Sequence, residues 1–184
     1  MKSVLALSLV LILFACNGTK TINDVSSNEE NTDDKQEISN NINEISLVSG
    51  CLSGGECSFE VMQNTKMDFK TDSANMLYPD FVDAKDANTI KFVYNENADK
   101  TETDGHYREE IYFEVKDGID SINLENAELE DVNFLYGRFC YCKGSAGYFK
   151  VKEGTLLMEG GRLIISFANG QVPQKLSKIT ADYK

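Results

Sequence analysis

Gly147-Tyr-Phe-Lys-Val-Lys152, Glu153-Gly154, Thr155-Leu-Leu-Met158, Glu159-Gly160-Gly161 and Arg162-Leu-Ile-Ile-Ser-Phe167 run consecutively near the end of the chain and decide its fold. Three short apolar runs are separated by glycine-containing turns. Strands alternate the faces of successive side chains. The glycines supply the positive φ that tight hairpin turns require, so the stretch predicts an antiparallel meander. Ser177-Lys-Ile-Thr-Ala-Asp-Tyr183 extends it by one strand through Ile179, Ala181 and Tyr183. Pro173 precedes that strand, where it removes no ladder bond.

Upstream, the same period recurs. Cys57-Ser-Phe-Glu-Val-Met-Gln63 and Thr65-Lys-Met-Asp-Phe-Lys70 read as two strands joined by a hairpin turn at Gln63-Asn64-Thr65. Thr89-Ile-Lys-Phe-Val-Tyr94 puts Ile90, Phe92 and Tyr94 on one face. His106 to Val115 does the same for Ile111, Phe113 and Val115, and Asp120 to Leu124 is a short alternating run. Val132 to Cys142 is the longest candidate strand, with Gly137 marking a bulge or bend. Asp72 to Ala87, with Tyr78-Pro79, breaks the rhythm and reads as a long loop or helical turn. Short strands, glycine turns and no long helical period predict an all-β domain, an antiparallel sandwich or barrel.

The 184 residues carry a net charge of −12 and are 41% hydrophobic. The acidic balance argues against nucleic acid as a partner. The chain opens with Met1-Lys2-Ser3 and the apolar run Val4 to Phe14, which is of signal-peptide length. Residues 17 to about 43 are rich in Asn, Ser, Thr, Asp and Glu and bury too little apolar surface to fold. The organisation expected is a signal peptide over 1–15, a flexible polar tether over 16–44, and one β-rich domain over 45–184. A tether of this length spans on the order of 30 Å.

Leu13-Phe14-Ala15-Cys16 at the end of the leader resembles the lipobox of bacterial lipoproteins. The resemblance implies cleavage before Cys16 and lipidation of that cysteine. The Asn-rich, Lys-containing composition behind it is similar to the small envelope lipoproteins of Bacteroidota. The implied location is the cell envelope, anchored by lipid to a bacterial outer membrane, facing either the periplasm or the surface. In that group surface display goes with an acidic run behind the cysteine. Asn17-Gly-Thr-Lys20 stands there instead.

With Cys16 assigned to lipid, Cys51, Cys57, Cys140 and Cys142 remain, an even number in an oxidising compartment. Two disulfides are expected. On a strand, Cys140 and Cys142 would point the same way near the far limit for a bridge. Each is therefore expected to reach Cys51 or Cys57, which would contribute about 4 kcal/mol by loop entropy. A local Cys51–Cys57 bridge is the geometrically easy competitor. The rival chemistry is a thiolate site for zinc or copper(I), at a spacing unlike that of zinc folds. Redox exchange ranks third because no Cys-x-x-Cys is present.

No catalytic constellation emerges, and no cofactor is implied. His106 is the sole histidine. Glu109-Glu110 and Glu125 to Asp131 read as solvated faces and loops. Asp117-Gly-Ile-Asp120 does not complete a calcium loop. No serine has nucleophile-elbow spacing. Tyr136, Arg138, Tyr141, Lys143 and Tyr148 form a basic-aromatic cluster around Cys140 and Cys142. They read either as core and rim residues or as a binding face for a glycan or an envelope protein. The function expected is non-catalytic binding or assembly.

Overall fold

The computed structural model describes residues 42–97 and 105–184; the leader, Cys16 and the tether up to residue 41 lie outside them. Among the described residues the strands are β1 Ile45–Ser49, β2 Gly55–Met62, β3 Thr65–Thr71, β4 Leu77–Asp83, β5 Ala87–Glu96 and β6 Arg108–Lys116. There follow β7 Ile122–Glu125, a 3-10 helix Asn126–Val132, β8 Leu135–Phe139, β9 Gly147–Lys150, β10 Glu153–Glu159, β11 Arg162–Ala168 and β12 Lys178–Tyr183. They build an all-β sandwich of two five-stranded antiparallel sheets, ordered β1-β12-β11-β10-β7 and β2-β5-β6-β8-β9.

Alternation explains the interior. Ile90, Phe92 and Tyr94 of β5, Ile111, Phe113 and Val115 of β6, and Tyr136 of β8 face Leu156, Met158, Leu163, Ile165, Phe167 and Ile179 of the other sheet. Each such large apolar side chain contributes about 2–3 kcal/mol by leaving water.

The hairpin expected at Gln63-Asn64-Thr65 does not form a ladder. The chain does turn there, with Asn64 at φ 52°, but β2 pairs with β5 and β3 pairs with β4. The span from Asp72 to Ala87 holds β4 rather than a loop or helix, and Pro79 sits in it opposite Phe69. The β3–β4 hairpin covers the outer face of the second sheet, where Met67 packs with Tyr112 and Leu135. The Met67 backbone N–H donates to Glu114 Oε1 at 2.6 Å. Covered on both faces, β6 is buried continuously from Glu109 to Phe113.

Only one of the two glycine turns is a hairpin turn. Glu159 pairs with Arg162 across Gly160 and Gly161, at φ 58° and 79°. Glu153-Gly154 instead begins β10, just after the chain crosses between sheets at Val151-Lys152, since β9 belongs to one and β10 to the other. Gly154 has φ 146° and pairs with Phe167, so close that a Cβ would lie 2.2 Å from the Ser166 carbonyl oxygen. Gly154→Ala should therefore cost about 3 kcal/mol. Gly160→Ala, with open space around it, should cost only about 1 kcal/mol. Urea denaturation of the two variants checks the contrast; equal losses would show that the close approach does not matter.

Gly137 makes no bulge, because the β8 ladders run without a shift. A Cβ there would meet the Phe139 and Tyr148 rings. The register shift falls in β1, between Leu47 and Ser49. β8 ends at Phe139, so Cys140 and Cys142 lie beyond the strand, and the longest strand among the described residues is β5.

Ile42, placed by composition in the tether, is buried in the core. Its carbonyl accepts from Gln63 Nε2 at 2.8 Å. The Asn43 N–H donates to the Lys184 carbonyl at 2.9 Å, and the Lys184 N–H to the Glu44 carbonyl at 3.0 Å. The chain thus enters the sandwich beside its own carboxy terminus. The 3-10 helix carries a capping box between Glu125 and Glu128, ends on Asn133 in the left-handed region, and is anchored by buried Leu129.

Candidate functional site

The ladder Cys57–Tyr94–Glu109–Arg138 crosses β2, β5, β6 and β8 near one end of the second sheet. The segments 50–54, 140–146 and 169–177 gather at this pole. The chain enters at the opposite pole, where Ile45 pairs with Tyr183.

The disulfides are Cys51–Cys57 and Cys140–Cys142, with Cα separations of 5.8 and 5.2 Å. The expected exchange between the two pairs does not occur. β5 and β6 stand between β2 and β8, which sets the pairs about 14 Å apart at the usual strand spacing. The Cys140–Cys142 segment has left the extended conformation. The chain bends at Cys140 and Tyr141, and this bend sets the two cysteines within bridging range.

Glu109 and Glu110, read as solvated, are 0% and 4% exposed. Alternation sends them to opposite faces of the sheet. Glu109 points inward. Its Oε1 accepts from the Lys175 N–H at 2.6 Å and from the Tyr107 hydroxyl, and its Oε2 accepts from the Leu176 N–H at 2.8 Å. A carboxylate with these donors pins the 169–177 segment onto the pole. Lys175 Nζ lies 4.3 Å from the Tyr107 ring centre and pairs with Glu96 at 2.6 Å. Burial, and then the bond to Glu109, push the Tyr107 phenol up to about 12, against the opposing pull of Arg138. Glu110 points outward, accepting from Tyr112 Oη at 2.8 Å and pairing with Arg108 Nε at 3.1 Å. Burial first, and then the neighbouring carboxylates, also raise Tyr112, Tyr136 and Tyr148.

The five basic-aromatic candidates do not share a face. Tyr136 is fully buried in the core. Arg138 is partly buried and donates from Nη1 to the Ser145 carbonyl at 2.9 Å and to Ser145 Oγ at 2.7 Å. Tyr148 lies on the outer face, edge-on to Phe139 with ring centres 5.2 Å apart. Only Tyr141 and Lys143 project into solvent, and Tyr141 is 87% exposed.

Two open clefts border this pole. One of 500 Å³ is lined by Asn95, Glu96, His106, Tyr107, Arg108, Phe139, Cys140 and Tyr141. The other, of 670 Å³, lies on the far side of the β8–β9 hairpin, between Met76, Tyr148 and Gln171. Tyr141 and Tyr148 therefore serve different clefts. Sequence reading left out His106 and Arg108, which join Tyr141 only because β6 pairs with β8. Arg108 Cζ lies over the Phe139 ring, 4.6 Å from its centre. The first cleft offers one exposed aromatic plane ringed by amide, carboxylate, imidazole and guanidinium groups. Such a set can grip hydroxyls and stack on an apolar surface.

No family model, curated protein or solved structure matches the chain.

Proposed function

We propose that this chain is a lipid-anchored cell-envelope protein whose β-sandwich is a non-catalytic binding module. The ligand is taken at the disulfide pole, and the class that fits best is an envelope glycan. One observation carries this reading. Tyr141 is 87% exposed, held between two bridged cysteines, at the rim of a cleft containing Asn95, His106 and Arg108. A large ring kept in water on a constrained loop loses little entropy when it stacks on a ligand. The anchor rests on Leu13 to Cys16. The alternative thiolate site for zinc or copper needs deprotonated thiols, whereas all four cysteines of the domain are engaged in disulfides.

Two measurements test the reading. Cys16→Ala should leave the protein uncleaved or released from the membrane fraction; a processed variant that still sediments would overturn the anchor. Tyr141→Ala should weaken binding to arrayed bacterial envelope oligosaccharides by about tenfold or more, with no change in melting temperature. Oligosaccharide binding that survives Tyr141→Ala would move the site elsewhere. Absence of all oligosaccharide binding, beside Tyr141-dependent capture of a purified envelope protein, would replace the glycan with a protein partner.

A further inference from the structure

We propose that Cys140–Cys142 is an exchangeable dithiol–disulfide couple that oxidises a pair of thiols on a polypeptide lying in the adjacent cleft. The proposal uses the same cleft as the binding function above but does not depend on the ligand named there. Its basis is the difference between the two bridges. Cys51–Cys57 spans six positions at the crossover from β1 to β2, and Cys57 packs against the main core. Cys140–Cys142 spans two positions in the β8–β9 loop. That loop is already closed without it. Arg138 pairs with Gly147 in the ladder, Arg138 holds the Ser145 carbonyl and hydroxyl, and the Ser145 N–H reaches the Cys142 carbonyl.

A bridge that closes a very short loop removes little freedom from the unfolded chain. Here it also adds little to a turn held by other bonds. By linkage, a disulfide that stabilises the fold weakly is one the fold protects weakly against reduction. Cys140 lines the 500 Å³ cleft beside Arg108, and Lys143 follows Cys142. Cationic neighbours favour a departing thiolate.

The exchange balances in two steps. A thiolate of the partner attacks Cys140, a bond forms between the two sulfurs, and the Cys140–Cys142 bond breaks. Its electron pair leaves on Cys142, which takes up the proton that the partner thiol released. The partner's second thiolate then attacks its own first sulfur and expels Cys140 as a thiolate, which is protonated by water. The partner dithiol loses two electrons and closes a disulfide, while Cys140 and Cys142 become thiols.

The test uses the oxidised full chain in graded mixtures of reduced and oxidised glutathione, with acid quenching, alkylation and mass mapping of each cysteine. Cys140–Cys142 should be half reduced in a mixture about tenfold or more less reducing than Cys51–Cys57 requires, with the far-ultraviolet β signal unchanged. If both bridges open together, or if opening of Cys140–Cys142 follows loss of the β signal, the proposal is wrong. A reduced two-cysteine peptide supplies the activity. The oxidised chain should close its disulfide about tenfold or more faster than the Cys140→Ser, Cys142→Ser double variant. Equal rates would assign the exchange to the other bridge and overturn the proposal.

Discussion

Glu109→Ala is expected to destabilise the domain by about 4 kcal/mol and to lower its melting temperature by roughly 10 °C. The side chain is wholly buried and receives the Lys175 and Leu176 amides and the Tyr107 hydroxyl. Removing it strands two backbone donors away from water, at about 1–3 kcal/mol each. It also releases the 169–177 segment that closes this end of the sandwich. Glu109→Gln keeps one acceptor but turns an NH2 group toward a donor, so about half of the loss should remain. Thermal and urea unfolding of both variants would decide the matter. Losses below about 1 kcal/mol for alanine would show that water replaces the carboxylate.

Stability is also expected to collapse between about pH 10 and 12. Unfolded tyrosine ionises near pH 10. In the native domain Tyr107 is pushed up to about 12, and burial raises Tyr112 and Tyr136 as well. Their folded values lie above the unfolded value, so the stability they support is complete below about pH 10. It is lost as the pH rises, because the unfolded chain sheds protons that the native chain retains. Each retained proton contributes a slope of about 1.4 kcal/mol per pH unit, or roughly 4 kcal/mol per pH unit for the three phenols together. Tyrosinate absorbance should rise together with loss of the β signal. Gradual ionisation in a still-folded protein would contradict the burial of these phenols.

Period-two alternation made the strand faces readable. Ile90, Phe92 and Tyr94 share the interior with Ile111, Phe113 and Val115, as their spacing implied. Gly160-Gly161 likewise announced its hairpin. Alternation names a face but not the sheet against which that face packs. The β3–β4 hairpin was therefore unreadable, since its cover over Tyr112 and Leu135 depends on contacts distant in sequence. The same limit hid Glu109, whose main partners are backbone amides 66 and 67 residues away. The cysteines were misassigned for a related reason. A strand running through Cys142 would set both sulfurs near the limit of each other's reach, whereas β8 ends at Phe139. Tyr136 and Tyr148 were grouped by proximity in sequence, whereas Tyr136 pairs with Phe149 across the hairpin. That register puts Tyr148 on the other face.

The entry of the chain beside Lys184 has a mechanical consequence. A load applied between the amino terminus and anything held at the disulfide pole runs along the strands, not across them. β1 would be drawn lengthwise past β12, so that the ladder bonds from Ile45–Tyr183 to Ser49–Thr180 resist in parallel and do not open one by one. Beyond β1 the force meets Cys51–Cys57, which carries it past residues 52 to 56 directly into β2. The domain is braced along the axis from its point of chain entry to the disulfide pole.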